Sequence, residues 1–209
     1  MPLYKEWTIG DHGLAAIWLI EEPEAFFIEH TGVQSTIKNE KRRMEHLAGR
    51  YLLKHLKHDF PVLGIDKDEH DKPRIRNNEY YFSISHSWPY VAAVIDPRSE
   101  AGIDIQTWHP RIAQIKHKFL SEREQQLFGD DVQMLTVAWS AKEAAYKWNG
   151  RRGVDFIAHL PIRNFSPKPD LIHMDILVSY DEPHKIAAIE NIITTNFACS
   201  YIAGVTHHP

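Results

Sequence analysis

Two stretches of this chain repeat their apolar residues at helical spacing, and each is bordered by apolar runs of strand length. That alternation limits the fold to a mixed α+β class. In residues 37–56, Met44, Leu47, Ala48, Tyr51, Leu52 and Leu56 recur on one face, and basic or polar residues fill the other. Residues 14–20 (LAAIWLI), between Gly13 and Glu21-Glu22-Pro23, have the length of a buried strand. Two more such runs, 80–85 and 90–95, are separated by Ser87-Trp88-Pro89 and predict a hairpin. Residues 101–105 form another short strand, with Gly102 where backbone must pass close to a neighbour. From there to Trp148 the pattern is helical. Ser121 and Glu124 have the spacing of a capping box, and Gly150 stops the last helix. Residues 157–162, 172–180, 186–193 and 197–205 are strand candidates.

A weak self-similarity supports two fused halves. One shift lays Ala15-Ala16-Ile17-Trp18 over Ile103-Asp104-Ile105-Gln106, and Tyr51 to His55 over Trp139 to Glu143. The expected architecture is α+β, with halves 1–97 and 98–209. Each half would be a long helix packed on a mostly antiparallel sheet, the two related by a pseudo-twofold. The shift places Ala16 over Asp104 and His55 over Glu143, so only the second half carries the acids. One site per chain follows.

Lys and Arg total 24 against 28 Asp and Glu, a net charge of −4, whereas a nucleic-acid binder would carry a basic excess. The single cysteine, Cys199, excludes an intramolecular disulfide and a multi-cysteine zinc site. No stretch approaches the ~18 consecutive apolar residues of a membrane span, and the opening Met1-Pro-Leu-Tyr-Lys-Glu-Trp is too polar for a signal peptide. A cytoplasmic protein with no membrane partner is expected. His55 and His58 would share a helix face, but the 14 histidines show no second converging pair and read as solvated.

Four segments hold residues suited to chemistry. In Gly102-Ile-Asp-Ile-Gln106, Asp104 and Gln106 fall on one face of a strand while Ile103 and Ile105 turn to the other. In Trp139-Ser-Ala-Lys-Glu-Ala-Ala-Tyr-Lys147, Glu143 and Lys147 project together at i, i+4. Two carboxylates and an ammonium suit a hard cation bound beside a phosphate; a surface ion pair is the plainer alternative. Ser85-His86-Ser87 lies on a strand entering a turn. Adjacent strand residues point to opposite faces, so Ser85 and His86 do not make a nucleophile–base pair. Lys72-Pro73, ahead of Arg74 and Arg76, offers a cation on a stiffened turn. There is no P-loop and no G-x-G-x-x-G.

Taken in this order, the segments resemble the 4'-phosphopantetheinyl transferase superfamily, and within it the larger, pseudo-dimeric, surfactin-synthetase-activating class. The resemblance is carried by Gly102–Gln106, Trp139–Lys147, Lys72-Pro73 and Ser85-His86-Ser87. Ala48-Gly49-Arg50 and Phe119-Leu-Ser-Glu-Arg-Glu124 add to it. It implies transfer of the phosphopantetheine arm of coenzyme A to a serine of an acyl or peptidyl carrier protein, with release of adenosine 3',5'-bisphosphate, as a holo-[acyl-carrier-protein] synthase type enzyme.

By the same resemblance, Asp104 and Glu143 would bind Mg²⁺, with Gln106 standing where many members have a third acid. Lys147 would meet the coenzyme A phosphates, with Lys142 beside the reacting centre and Glu124 as a proton acceptor. Arg43, Arg50, Lys72, Pro73, Ser85 and His86 would hold the nucleotide end, making residues 1–97 the nucleotide half. Residues 98–209 would hold the metal and meet an acidic carrier through Arg111, Ile115 and Lys118, with Lys116 beside them. Fused halves imply a monomer. The competing readings are a non-catalytic binder of coenzyme A or of carrier protein, and a metal-dependent phosphohydrolase.

Overall fold

The computed structural model describes residues 2–76, 79–168 and 171–207. The chain divides into two compact units, Met1–Ala101 and Gly102–Pro209. Both are mixed α+β with antiparallel sheets.

The first unit opens with strands β1 (Leu3–Ile9) and β2 (Gly13–Leu19), joined through Gly10 at φ 55°. Helix α1 (Glu24–Thr31) follows, closed by Gly32 in the left-handed region, and then α2 (Glu40–Leu56). The Asn39 side chain accepts from Arg42 N at the start of α2, a cap worth about 1 kcal/mol. Leu47, Leu52 and Leu53 on α2 are fully buried, each contributing roughly 2 kcal/mol of apolar transfer. Short strands β3 (Ile65–Lys67) and β4 (Pro73–Ile75) pair with each other. The hairpin β5 (Tyr81–Ser87) and β6 (Tyr90–Asp96) completes a sheet of order β1-β2-β6-β5. At Gly49 a Cβ would lie 2.8 Å from Ile84 Cγ2, so glycine lets α2 rest directly on β5.

The second unit begins with β7 (Ile103–Thr107), then short α3 (Ile112–Ile115), α4 (Glu122–Phe128) and the long α5 (Val132–Asn149). Strands β8 (Ile162–Pro167), β9 (Leu171–Val178), β10 (Lys185–Ile193) and β11 (Phe197–His207) follow. The sheet order is β7-β11-β10-β9-β8, so the first strand pairs with the last. Helix α5 packs on β7, β9, β10 and β11. Ser121 and Glu124 make both bonds of the capping box on α4, Asp131 caps α5, and Gly150 closes it at φ 68°.

Three local expectations shift. Residues 157–161 are not strand, because Asp155 Oδ1 accepts from Ile157 N and Ala158 N and curls the segment into a turn before β8. His58 lies beyond the end of α2, off the face that holds His55. β1 matches none of the expected strands. It is an edge strand in which Lys5, Glu6 and Thr8 interrupt any apolar run. No helix among the described residues is long and apolar enough to cross a membrane.

Candidate functional site

Asp104 sits on β7 and is 2% exposed. The pleat turns it away from the flanking Ile103 and Ile105 and toward the same side as Gln106. Helix α5 lies against β7 because Gly102 has no side chain: a Cβ there would stand 2.2 Å from Ala144 O and 2.8 Å from Trp148 Cβ. This close approach brings Lys147 over the strand. Its Nζ donates to Asp104 Oδ1 at 2.6 Å and to Ile103 O at 3.3 Å. Gln106 Nε2 donates to Asp104 Oδ2 at 2.9 Å, so the amide orients the acid. Glu143, one turn before Lys147, has its carboxyl pushed up to about 7, chiefly by burial and then by the Asp104 charge, with Lys147 pulling the other way. The two acids thus sense each other across 39 residues of chain and share one lysine.

Glu143 lines a cavity of about 490 Å³ together with Trp139 and Tyr146 of the same helix. Its other walls are Lys118 and the Gly153–Phe156 segment, with Gly153 at φ 73°. Trp139 and Phe156 stack with centroids 5.4 Å apart, and Tyr146 meets Phe156 at 5.7 Å. Two carboxylates face this cavity and they differ. Asp155 is held below the usual carboxylate range by hydrogen bonds from Ala158 N and Ile157 N, whereas Glu143 is raised.

Lys142 and Glu124 do not line this cavity. Lys142 is fully buried and donates to Phe119 O, Phe156 O and Glu124, and Glu124 also accepts from Ser121 N and Ile162 N. Arg111 is exposed just ahead of α3, Ile115 at the end of α3 is half-buried, and Lys118 is an exposed wall of the cavity.

In the first unit, Pro73, Arg50 and His86 line a cavity of about 570 Å³ with Arg42, Glu45 and His46. His86 pairs with Glu45 at 3.1 Å. His46 is pushed down to about 4 by burial, then by the Arg50 and His86 charges, so it is neutral at neutral pH, with one ring nitrogen a donor and the other an acceptor. The remaining first-unit candidates do not line this cavity. Arg43 is bound to Glu24 and Ile37 O, Lys72 is 8% exposed with its ammonium on Glu100 Oε2 at 2.7 Å, and Ser85 is buried. Glu45, His46 and Glu100 belong to none of the sequence motifs. The only signal for His46 was its i, i+4 spacing to Arg50, and nothing local marks Glu100.

Among the described residues, no three His, Cys, Asp or Glu side chains cluster to hold a metal ion. The donor set is two acids and an amide. Its chemistry suits a hard divalent cation: all donors are oxygens, and a buried and a half-buried acid share one lysine.

Residues 100–195, just under half of the chain, match the model of the 4'-phosphopantetheinyl transferase superfamily, which supports that superfamily. No curated protein matches the chain.

Proposed function

We propose that this protein transfers the 4'-phosphopantetheine arm of coenzyme A to a serine of an acyl or peptidyl carrier protein, releasing adenosine 3',5'-bisphosphate. The carrying observation is the convergence of Asp104, Gln106, Glu143 and Lys147 within the segment that matches the superfamily. In the reaction the serine Oγ forms a bond to the phosphorus bearing the pantetheine arm. The bridging P–O bond of the diphosphate breaks, its electron pair leaving with the adenosine bisphosphate, and the serine proton passes to a carboxylate.

Asp104, Glu143 and the Gln106 amide oxygen would hold Mg²⁺, which when bound neutralises charge on the diphosphate. Lys147 has used two of its three N–H groups on Asp104 and Ile103, and we assign the third to a phosphate oxygen. Glu143 is the carboxylate that reaches the cavity from α5, so we give it the serine proton. Glu124, enclosed by its cap and by Lys142, is not in that position. In the first unit, Arg50 and His86, with Arg42 and His46, are assigned the anionic nucleotide end. Lys72 and Arg43 already serve Glu100 and Glu24, and we give them supporting roles outside the cavity lining. Exposed Arg111 and Lys118, with Ile115 between, face an acidic carrier. The surfactin-synthetase-activating class, a monomeric state and a cytoplasmic location complete the proposal.

Intact-mass measurement on apo carrier proteins incubated with coenzyme A and Mg²⁺ tests it. A gain of one phosphopantetheine group at serine supports transfer. Release of free phosphopantetheine marks a hydrolase, and binding without either product marks a non-catalytic relative; both overturn it.

A further inference from the structure

Lys142 is the neighbour of Glu143 on α5, yet its side chain runs into the protein interior. Its ammonium has three N–H groups and three acceptors: Phe119 O at 2.8 Å, Phe156 O at 3.0 Å and Glu124 at 3.0 Å. Glu124 is 4% exposed and is likewise saturated, by Ser121 N at 2.8 Å and Ile162 N at 2.7 Å besides Lys142. The pair therefore ties α5 to the turn ahead of α4, to the α4 N-terminus, to the loop before β8 and to the first residue of β8. Two of those segments are cavity walls: Phe156 lines the cavity directly, and Lys118 precedes the Phe119 carbonyl. The opposite wall is α5 itself, through Trp139, Glu143 and Tyr146.

Replacing a buried ion pair with apolar groups is often neutral for stability, because desolvation offsets the attraction. What apolar groups lack is direction. Three aimed N–H bonds fix where the Phe119 and Phe156 carbonyls sit relative to the helix.

We infer that Lys142 and Glu124 are positioning residues that set the width of the Glu143 cavity and touch neither substrate. This rests on the transferase reading above. The cavity is held open at one spacing for the reacting end of the substrates, and the two buried charges exert their effect only through Phe156, Lys118 and Glu143.

Two variants of the full chain test this. Glu124→Gln can keep the capping-box bond from Ser121 N, but it loses the acceptor for Ile162 N and the counter-charge of Lys142. Lys142→Met combined with Glu124→Gln removes both charges at similar volume and strands neither. Amide hydrogen exchange over residues 150–162 is followed beside steady-state transfer kinetics and the pH–rate profile. In the double variant, exchange in that segment is expected to rise about tenfold. KM should rise about tenfold for the substrate that enters the cavity, kcat should fall less, and the pH profile should keep its shape. Glu124→Gln alone should keep wild-type kcat within a few-fold. Loss of a limb of the pH profile in either variant, or a fall of kcat by about 10²-fold or more with exchange unchanged, would make these groups chemical participants and overturn the inference. So would a double variant with wild-type exchange and kinetics. If the double variant does not fold, Glu124→Asp, which keeps the charge opposite Lys142 and shortens its reach, decides by the same pH profile and kcat. Where the wild-type chain transfers nothing, the transferase reading fails, and the exchange measurement alone decides whether the pair holds the wall.

Discussion

Lys147 reaches back from α5 to place its ammonium 2.6 Å from Asp104 Oδ1, and the Gln106 amide holds the other oxygen of the same carboxylate at 2.9 Å. One strand acid is thus fixed by a helix cation and a strand amide before any ligand arrives. Its geometry is set in advance, which is where electrostatic catalysis draws its strength. Replacing Lys147 with Met takes the cation from the 2%-exposed Asp104 carboxylate and should cost about 3–5 kcal/mol of stability. It should lower kcat for arm transfer by ~10²-fold or more, read by steady-state kinetics beside a circular dichroism spectrum. An unchanged kcat would remove Lys147 from the phosphate-binding role.

The amide at Gln106 makes a second prediction. In Gln106→Glu a third carboxylate replaces the donor to Asp104 Oδ2. Mg²⁺ affinity by calorimetric titration should rise on the order of tenfold, as ligand charge generally tunes such sites. Without Mg²⁺ the variant should melt below the wild type, because a like charge replaces a hydrogen bond, and added Mg²⁺ should restore it. Weaker binding by the variant would contradict the assignment of this face to a cation.

Protonation of Glu143 opposes cation binding. Its carboxyl is raised from 4.5 to about 7 by burial first and by Asp104 second. The proton-bound form therefore dominates below about pH 7, and a cation must displace that proton. Apparent Mg²⁺ affinity should be flat above pH 8 and fall as pH drops through 7, by up to about tenfold per unit. Glu143→Gln should flatten the dependence and weaken binding throughout. A wild-type affinity constant from pH 8 to 5 would show that Glu143 does not ligate the ion.

Gly102 carries a stability prediction. Its backbone does not need a left-handed conformation; its constraint is space, with Ala144 O 2.2 Å and Trp148 Cβ 2.8 Å from where a methyl would stand. Both neighbours are part of the helix, so Gly102→Ala must push α5 off β7. The expected cost is about 1–3 kcal/mol, seen as a lowered midpoint in urea, with Mg²⁺ affinity falling as Lys147 is carried away from Asp104. A variant as stable as the wild type would show that the helix yields freely.

What the sequence disclosed follows from the range of the signals. The capping box at Ser121–Glu124, the alternation at Asp104–Gln106 and the Glu143–Lys147 spacing are local periodicities, and each sits as its pattern required. Lys142 shows the limit. It stands beside Glu143 in a stretch where both look equally polar, and only the direction of the core separates an enclosed ammonium from a cavity carboxylate. Lys72 is similar: its partner Glu100 lies 28 residues away, and no spacing rule joins them. Residues 157–161 looked like strand by composition, but the Asp155 side chain competed for the backbone and won. The neutral His46 against Arg50 came from burial, which a single helix turn in the sequence does not reveal.

The opposed directions of Lys142 and Glu143 make α5 rotationally keyed. Any roll of that cylinder about its axis that would swing the outer carboxylate must first draw the inner ammonium off three oxygens at once. Torque on the helix is therefore resisted at its enclosed side, and the outer carboxylate keeps its bearing on the cavity.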